Sequence, residues 1–205
     1  MTLFEFDNAY RDKYKLVCGC DEAGRGPLAG DVYAAAVVFP DGVLIEGIND
    51  SKKLSEKKRE QLFDEIKEKA LYWSIKTCSV AEIEQYNILN CAMLAMKRAV
   101  EDLPEKPDIC LIDGNKTPKL DTETRAVIGG DAKSQAIAAA SILAKVARDR
   151  YMLELAEKYP EWQFGKHKGY GTKLHYEMLD KYGESPVHRP SFLTKYYARK
   201  AKQDE

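Results

Sequence analysis

Three acidic positions in this chain share one setting. Asp21, with Glu22 beside it, follows the apolar run LVCGC; Asp113 follows ICLI; Asp131 follows AVIGG. Apolar runs of this length bounded by turn residues read as buried strands. Strand ends of one sheet can be neighbours in space although far apart in sequence. One acid in such a place is usually a turn former or a helix cap, but an acidic pair and two further acids in the same context weaken that reading. Gathered together they repel, which raises the pKa of at least one unless cations hold the site. Oxygen ligands without a His or Cys partner select hard cations, Mg²⁺ first and Mn²⁺ second. Two such ions, roughly 3.5–4 Å apart, activate a water and stabilise the leaving oxygen in phosphodiester cleavage. The acids therefore point to phosphoryl-transfer chemistry.

The segment GRGPLAG follows the acidic pair directly. It lacks the Lys-Ser/Thr ending of a phosphate-binding P-loop and has no GxGxxG spacing, which argues against an ATP or NAD site. Glycines beside a metal site let backbone groups approach a substrate closely, and Arg25 can fork onto phosphate. A plain glycine-rich turn would look the same in isolation.

The elements that must position these residues can be read from periodicity. Strands are predicted over 15–21, 31–39, 71–78, 108–113 and 125–129, and helices over 55–69, 79–86, 88–101, 133–159, 172–182 and 191–200. The first two strands suggest a hairpin at the heart of the sheet. The long helix opens with AIAAASILAKVA, small enough to lie tightly on that sheet. Strands and helices in this order make an α/β protein: a mixed central sheet flanked by helices, with a helical C-terminal extension. The best division falls in 160–172, giving a core over 1–160 and an extension over 161–205.

Composition is that of an ordinary globular protein, with 44% hydrophobic and 32% charged residues and a net charge of −1. The halves differ: residues 1–114 carry 15 Lys and Arg against 21 Asp and Glu, and the remainder carries 17 against 12. An acidic half followed by a basic one fits a metal-holding core beside a phosphate-facing surface. The five cysteines form no CxxC pair and read as buried thiols, with Cys18 and Cys20 on one strand face. No apolar run reaches the roughly 18–20 residues of a spanning helix, and the charged start is unlike a signal peptide. A cytoplasmic monomer with no membrane association is expected.

DEAGRGPLAG, NDSKKLSEKKRE, LIDG, GDAKSQAIAAASILAKVARDR and KGYGTKLHYEML together resemble the successive blocks of the ribonuclease HII family, in order and over nearly the whole chain. That resemblance implies a ribonuclease H-like fold and Asp21, Glu22, Asp113 and Asp131 as the carboxylates of two Mg²⁺ or Mn²⁺ ions. It implies that Gly24, Arg25 and Gly26 sense a ribose 2′-hydroxyl, largely through backbone groups, and that Tyr170 stacks on the following deoxyribose. The substrates would be RNA–DNA hybrids and DNA duplexes containing ribonucleotides. Cleavage would fall 5′ to the ribonucleotide, leaving a 3′-hydroxyl and a 5′-phosphate, as in removal of ribonucleotides from DNA.

Asn49, Ser51, Lys52, Ser134, Lys145 and Arg148 are further candidates for substrate binding; Lys145 and Arg148 are i, i+3 neighbours able to reach one phosphate or to pair with Asp149. Asp149 competes with Asp131 as the fourth carboxylate, and Asp131 is preferred because it ends a strand. The histidines flank Tyr170 and read as surface or structural residues. A ribonuclease HIII would carry an additional N-terminal domain, whereas about twenty residues precede Asp21 here. A non-catalytic nucleic-acid-binding module would be hindered by so many acids. No clamp-binding peptide of the QxxLxxFF kind ends the chain; its tail, ARKAKQDE, is charged and expected to fray.

Overall fold

The computed structural model describes residues 1–202. Five strands form one sheet: β1 (Val17–Ala23), β2 (Val32–Val38), β3 (Tyr72–Cys78), β4 (Ile109–Asp113) and β5 (Glu123–Val127), in the spatial order β3-β2-β1-β4-β5. β1 lies at the centre, antiparallel to β2 and parallel to β4; β2–β3 is antiparallel and β4–β5 parallel. The parallel register pairs Cys20 with Ile112, so Asp21 and Asp113 leave adjacent strands at the same edge. β1 and β2 are neighbours as predicted, but an eight-residue connection, not a tight turn, joins them.

Strand alternation divides the core. Cys18, Cys20, Ala34, Ala36 and Val38 face one way, against Cys91, Ala92, Ala95 and Met96 of α4 (Ile88–Glu101). Ala35 and Val37 face the other way, toward Leu62, Phe63 and Ile66 of α2 (Glu56–Lys69) and the alanine-rich half of α5 (Gln135–Lys158). α3 (Val80–Tyr86) abuts α4, starting from a capping box of Ser79 and Glu82. All five cysteines are buried free thiols.

The predicted helices are found within two residues of their expected ends. The last strand ends two residues early, because Gly129 turns left-handed at φ +63° and a 3-10 turn, Gly130–Ala132, carries Asp131. Two helices were not expected, one at the N-terminus and the single turn Phe164–His167. α1 (Leu3–Arg11) opens with a capping box between Thr2 and Glu5 and docks on the start of α5, where Asp7 accepts the Ala136 amide at 2.8 Å. Burial lifts the Asp7 carboxyl to about 6.

Beyond α5 come α6 (Phe164–His167), α7 (Lys173–Tyr182) and α8 (Pro190–Ala201). The tail expected to fray is helical through Ala201, and its last three residues lie outside the described ones. The chain between α7 and α8 folds back onto the β1–β2 connection: Gly30 donates to the Val187 carbonyl at 2.8 Å and Arg189 to that of Leu28 at 2.8 Å. Among the described residues, no helix is long and apolar enough to cross a membrane.

α5 reaches the sheet most closely at Gly19, midway along β1. A Cβ there would stand 2.1 Å from the Ala136 carbonyl carbon and 2.2 Å from the Ile137 nitrogen. Both obstacles are backbone, which cannot rotate aside. Gly19→Ala is expected to lower stability by about 3 kcal/mol, the upper range for overpacking a core. Urea unfolding checks this, and an unchanged midpoint would contradict the packing described.

Candidate active site

Asp21 and Glu22 sit on the last turn of pleat in β1. Asp21 is buried on the face covered by α5, Glu22 is partly exposed, and Asp113 ends β4 alongside. Burial drives the Asp21 carboxyl well above its usual range, and the nearby charges of Glu22 and Asp113 push it further. Glu22 is also raised, by burial first, with Arg25 pulling the other way through a 3.1 Å ion pair. Asp131 is raised by burial and by the charges of Asp113 and Asp50. The Gly130 amide donates to Asp113 Oδ1 at 2.7 Å, tying the Asp131 turn to the end of β4.

These acids thus feel one another, as the sequence predicts for strand ends of one sheet. They are not closed into a cage: among the described residues no three Asp, Glu, His or Cys side chains are placed to share one ion. Glu22 turns instead toward Arg25. The donor set is oxygen-only, and the raised Asp21 carboxyl marks negative charge that a divalent cation would neutralise.

Asp21 and Glu22 open onto a cleft of about 470 Å³ lined also by Gly24, Arg25, Gly26, Ser51, Lys52, Ser141, Lys145 and Tyr170, with Ile88 and Ala23; Asp113 and Asp131 are not part of its lining. Ser51 and Ser141 bond to each other through their hydroxyls at 3.0 Å. Lys145 is held by Asp149 at 2.7 Å, and its ammonium stands 5.8 Å from the Tyr170 ring centre. Asp149 is thereby occupied with Lys145 and, at 4.0 Å, Arg59, and it does not join the acid group. Tyr170 remains 43% exposed at the cleft mouth, and a Cβ on Gly26 would lie 3.9 Å from its ring.

Three sequence candidates stand elsewhere. Asn49 is exposed outside the cleft, its Oδ1 accepting the Asp50 amide at 2.8 Å. Ser134 is buried as the N-cap of α5, accepting from the Ile137 amide at 3.1 Å. Arg148 does not share a phosphate-facing position with Lys145: it is 1% exposed and donates to the carbonyls of Ala29, Asp31 and Lys168. The two are neighbours on α5, but Asp149 holds the Lys145 head group at the cleft while the Ala29, Asp31 and Lys168 carbonyls draw that of Arg148 beneath the loop.

Sequence reasoning missed Asp50 and Arg189. Asp50 caps the short 3-10 helix Ser51–Lys53, accepting the Lys52 amide at 2.9 Å, and its charge helps raise Asp131. Arg189 is wholly buried behind the GRGPLAG loop. An Arg at the N-cap of a helix begun by Pro190 runs against the helix dipole, and that was a legible signal.

A profile of the family described as ribonuclease HII matches residues 18–195. The chain belongs to the ribonuclease HII family. Its curated relatives include ribonuclease HII of Idiomarina loihiensis, 60% identical over 86% of this chain and 95% of the relative. Among solved structures, the ribonuclease H2 of Pyrococcus horikoshii superposes with a TM-score of 0.72 at 28% identity, covering 86% of this chain and 93% of that one. Bst-RNase HIII, described in complex with Mn²⁺, shares the fold with a TM-score of 0.65 at 16% identity, over 92% of this chain and 70% of that one. The mixed sheet with its flanking helices is therefore a ribonuclease H-like fold. Ribonucleases HII are metal-dependent endonucleases, and the ribonuclease H family acts on RNA–DNA hybrids.

Beneath Tyr170 the three histidines form a buried stack and are structural, not surface, residues. The Tyr170 carbonyl accepts from His175 Nδ1 at 3.0 Å, so His175 Nε2 is left to accept from His188 Nε2 at 2.9 Å. His188 Nδ1 in turn accepts from the Ser185 amide at 2.8 Å. His167 lies against His175 with ring centres 4.1 Å apart. Every ring in this arrangement is neutral, and burial holds His175 and His188 down to about 4.

Below pH 6.5 His175 and His188 of the unfolded chain take up protons that the folded chain refuses until about pH 4. Stability therefore falls with pH across that window, by up to about 1.4 kcal/mol per pH unit for each histidine. Asp7 acts in the opposite sense as its raised carboxyl protonates first in the folded state. Replacing His188 by Asn is expected to lower stability at pH 7 yet flatten its decline between pH 6.5 and 5. Denaturant melts at each pH measure this, and an unaltered slope would contradict the neutral stack.

Proposed function

We propose that this chain is an endoribonuclease that hydrolyses the phosphodiester 5′ to a ribonucleotide, in RNA–DNA hybrids and at single ribonucleotides embedded in duplex DNA. It leaves a 3′-hydroxyl and a 5′-phosphate, and so serves removal of ribonucleotides from DNA. The observation that carries this reading is the single cleft in which Asp21 and Glu22, the Gly24-Arg25-Gly26 loop and Tyr170 meet.

In this reading Asp21, Glu22, Asp113 and Asp131 hold two divalent cations, Mg²⁺ or Mn²⁺. Such ions supply Lewis-acid activation of the attacking water and neutralise charge on the phosphate. The protein's own groups do the selecting. Backbone groups of Gly24, Arg25 and Gly26 meet the ribose 2′-hydroxyl, which is how a protein tells RNA from DNA at one position. The Tyr170 ring, half exposed across the cleft from Gly26, takes the deoxyribose that follows. Lys52 and Lys145 line the same cleft and offer ammonium groups to the flanking phosphates, with Ser51 beside them.

The part of the chain after residue 160 is, in this reading, an extension, helical through Ala201, that presents Tyr170. On the same reading the enzyme works as a cytoplasmic monomer on RNA–DNA hybrids and ribonucleotide-containing duplexes.

Mapping the cut on a 5′-labelled duplex with one ribonucleotide, in Mg²⁺ and in Mn²⁺, tests the reading. One product ending immediately 5′ to the ribonucleotide is expected, with no cut in the all-DNA control. Asp21→Asn and Asp113→Asn are each expected to lower kcat by about 10³-fold or more while leaving the far-UV spectrum unchanged. Full activity in EDTA would falsify metal dependence.

A further inference from the structure

The loop from Gly24 to Asp31 is held from behind by two buried guanidinium groups. Arg189 donates through Nε to the Gly30 carbonyl at 2.9 Å, through Nη1 to those of Pro27 at 2.8 Å and Arg25 at 3.2 Å, and through Nη2 to those of Gly24 at 2.8 Å and Gly30 at 2.6 Å. Arg148 donates through Nε to Asp31 at 3.1 Å, through Nη1 to Lys168 at 3.1 Å and through Nη2 to Ala29 at 3.0 Å. The Leu28 carbonyl accepts the Arg189 amide. The loop's carbonyls are thus drawn inward almost without interruption.

The amides behave differently. Those of Leu28 and Gly30 are used by Gly169 and Val187, and Pro27 has none. The amides of Gly24, Arg25, Gly26, Ala29 and Asp31 have no partner among the described residues, and of these residues Gly24, Arg25 and Gly26 line the cleft. With the carbonyl ends of the peptide dipoles tied to two buried cations, the donors are left for a ligand with an acceptor oxygen.

This arrangement is costly. The partners of both guanidiniums are carbonyls, not carboxylates, and both are almost fully removed from solvent. Two like charges stand near each other, and Arg189 occupies the N-cap of α8, where the dipole disfavours a cation. The fit is close, since a Cβ on Gly24 would lie 2.1 Å from Arg148 Nε. A fold that needed only a closed loop could use apolar residues of similar volume at less cost.

We propose that Arg189 and Arg148 are positioning residues for ribonucleotide selection: together they fix the carbonyls of the Gly24–Asp31 loop inward and so present the Arg25 and Gly26 amides to the ribose. This rests on the reading that the tripeptide meets the 2′-hydroxyl. Neither side chain reaches the substrate itself. The two come from α5 and from the start of α8, so selection depends on both the core and the C-terminal helices.

The test separates selection from stability. KM is measured on a duplex with one ribonucleotide, and Ki for an all-DNA duplex of the same sequence as competitor. Arg189→Lys keeps the charge but loses the fork. It is expected to raise KM by about tenfold, the scale of one charge-assisted hydrogen bond, with Ki unchanged. A merely structural role would lower the active fraction or move KM and Ki together, and either result overturns the proposal, as does an unchanged KM. Should Arg189→Lys fail to fold, Arg148→Lys is read by the same two constants, with the same outcomes for and against. Wild-type protein that does not cut the ribonucleotide duplex at all sinks the functional reading instead, and is seen before any variant is made.

Discussion

The seat of α5 on β1 is the constraint on which the rest of this structure depends. Gly19 lacks a side chain where the α5 backbone crosses, and Ala136, Ala139 and Ala140 keep the helix close to the sheet. At 1.5 Å per residue, a helix set in place at Ala136 then delivers Ser141 beside Asp21, Lys145 to the cleft and Arg148 beneath the β1–β2 connection. A helix held one methyl group farther out would displace all three together. Asp7 and Ser134 fix the other variable, the starting point of the helix, by satisfying its first amides.

Charge is sorted on this scaffold by depth. Asp21 and Glu22 line the cleft, with Asp113 and Asp131 close enough for burial and mutual repulsion to raise Asp21 and Asp131 toward cation binding. Lys145 is held near them, yet Asp149 anchors it and keeps it from collapsing onto the site. Arg148 and Arg189 lie deeper, facing carbonyl oxygens. The outcome is a cleft whose acidic side suits metal ions and whose loop side offers unpaired amides, two chemistries separated by a few residues of β1 and its connection. The neutral histidine stack beneath Tyr170 adds a rigid floor without adding charge.

Much of this was legible in the sequence. Asp21 and Asp113 could be placed together because each ends an apolar run, and runs of that kind become adjacent strands. The parallel register of β1 and β4 then brings the acids to one edge. Cys18 and Cys20 share a face because alternation in a strand is a local property. α1 was equally readable, since Thr2 and Glu5 form a capping box, but a charged segment drew attention only as an unlikely leader.

Sequence by itself determined the order of elements, the acids, the glycine-rich loop and the family, because these follow from local periodicity and from motifs whose residues are contiguous. Tertiary structure alone decided which cations face the cleft. Lys145 and Arg148 look equivalent along the chain, and Arg189 shows only its unusual place before Pro190 at a helix start. Their roles depend on which carbonyl and carboxylate oxygens surround each head group, and those oxygens come from segments up to 165 residues away. A hydrogen bond to a backbone carbonyl leaves no mark on residue type, so nothing along the chain announces it.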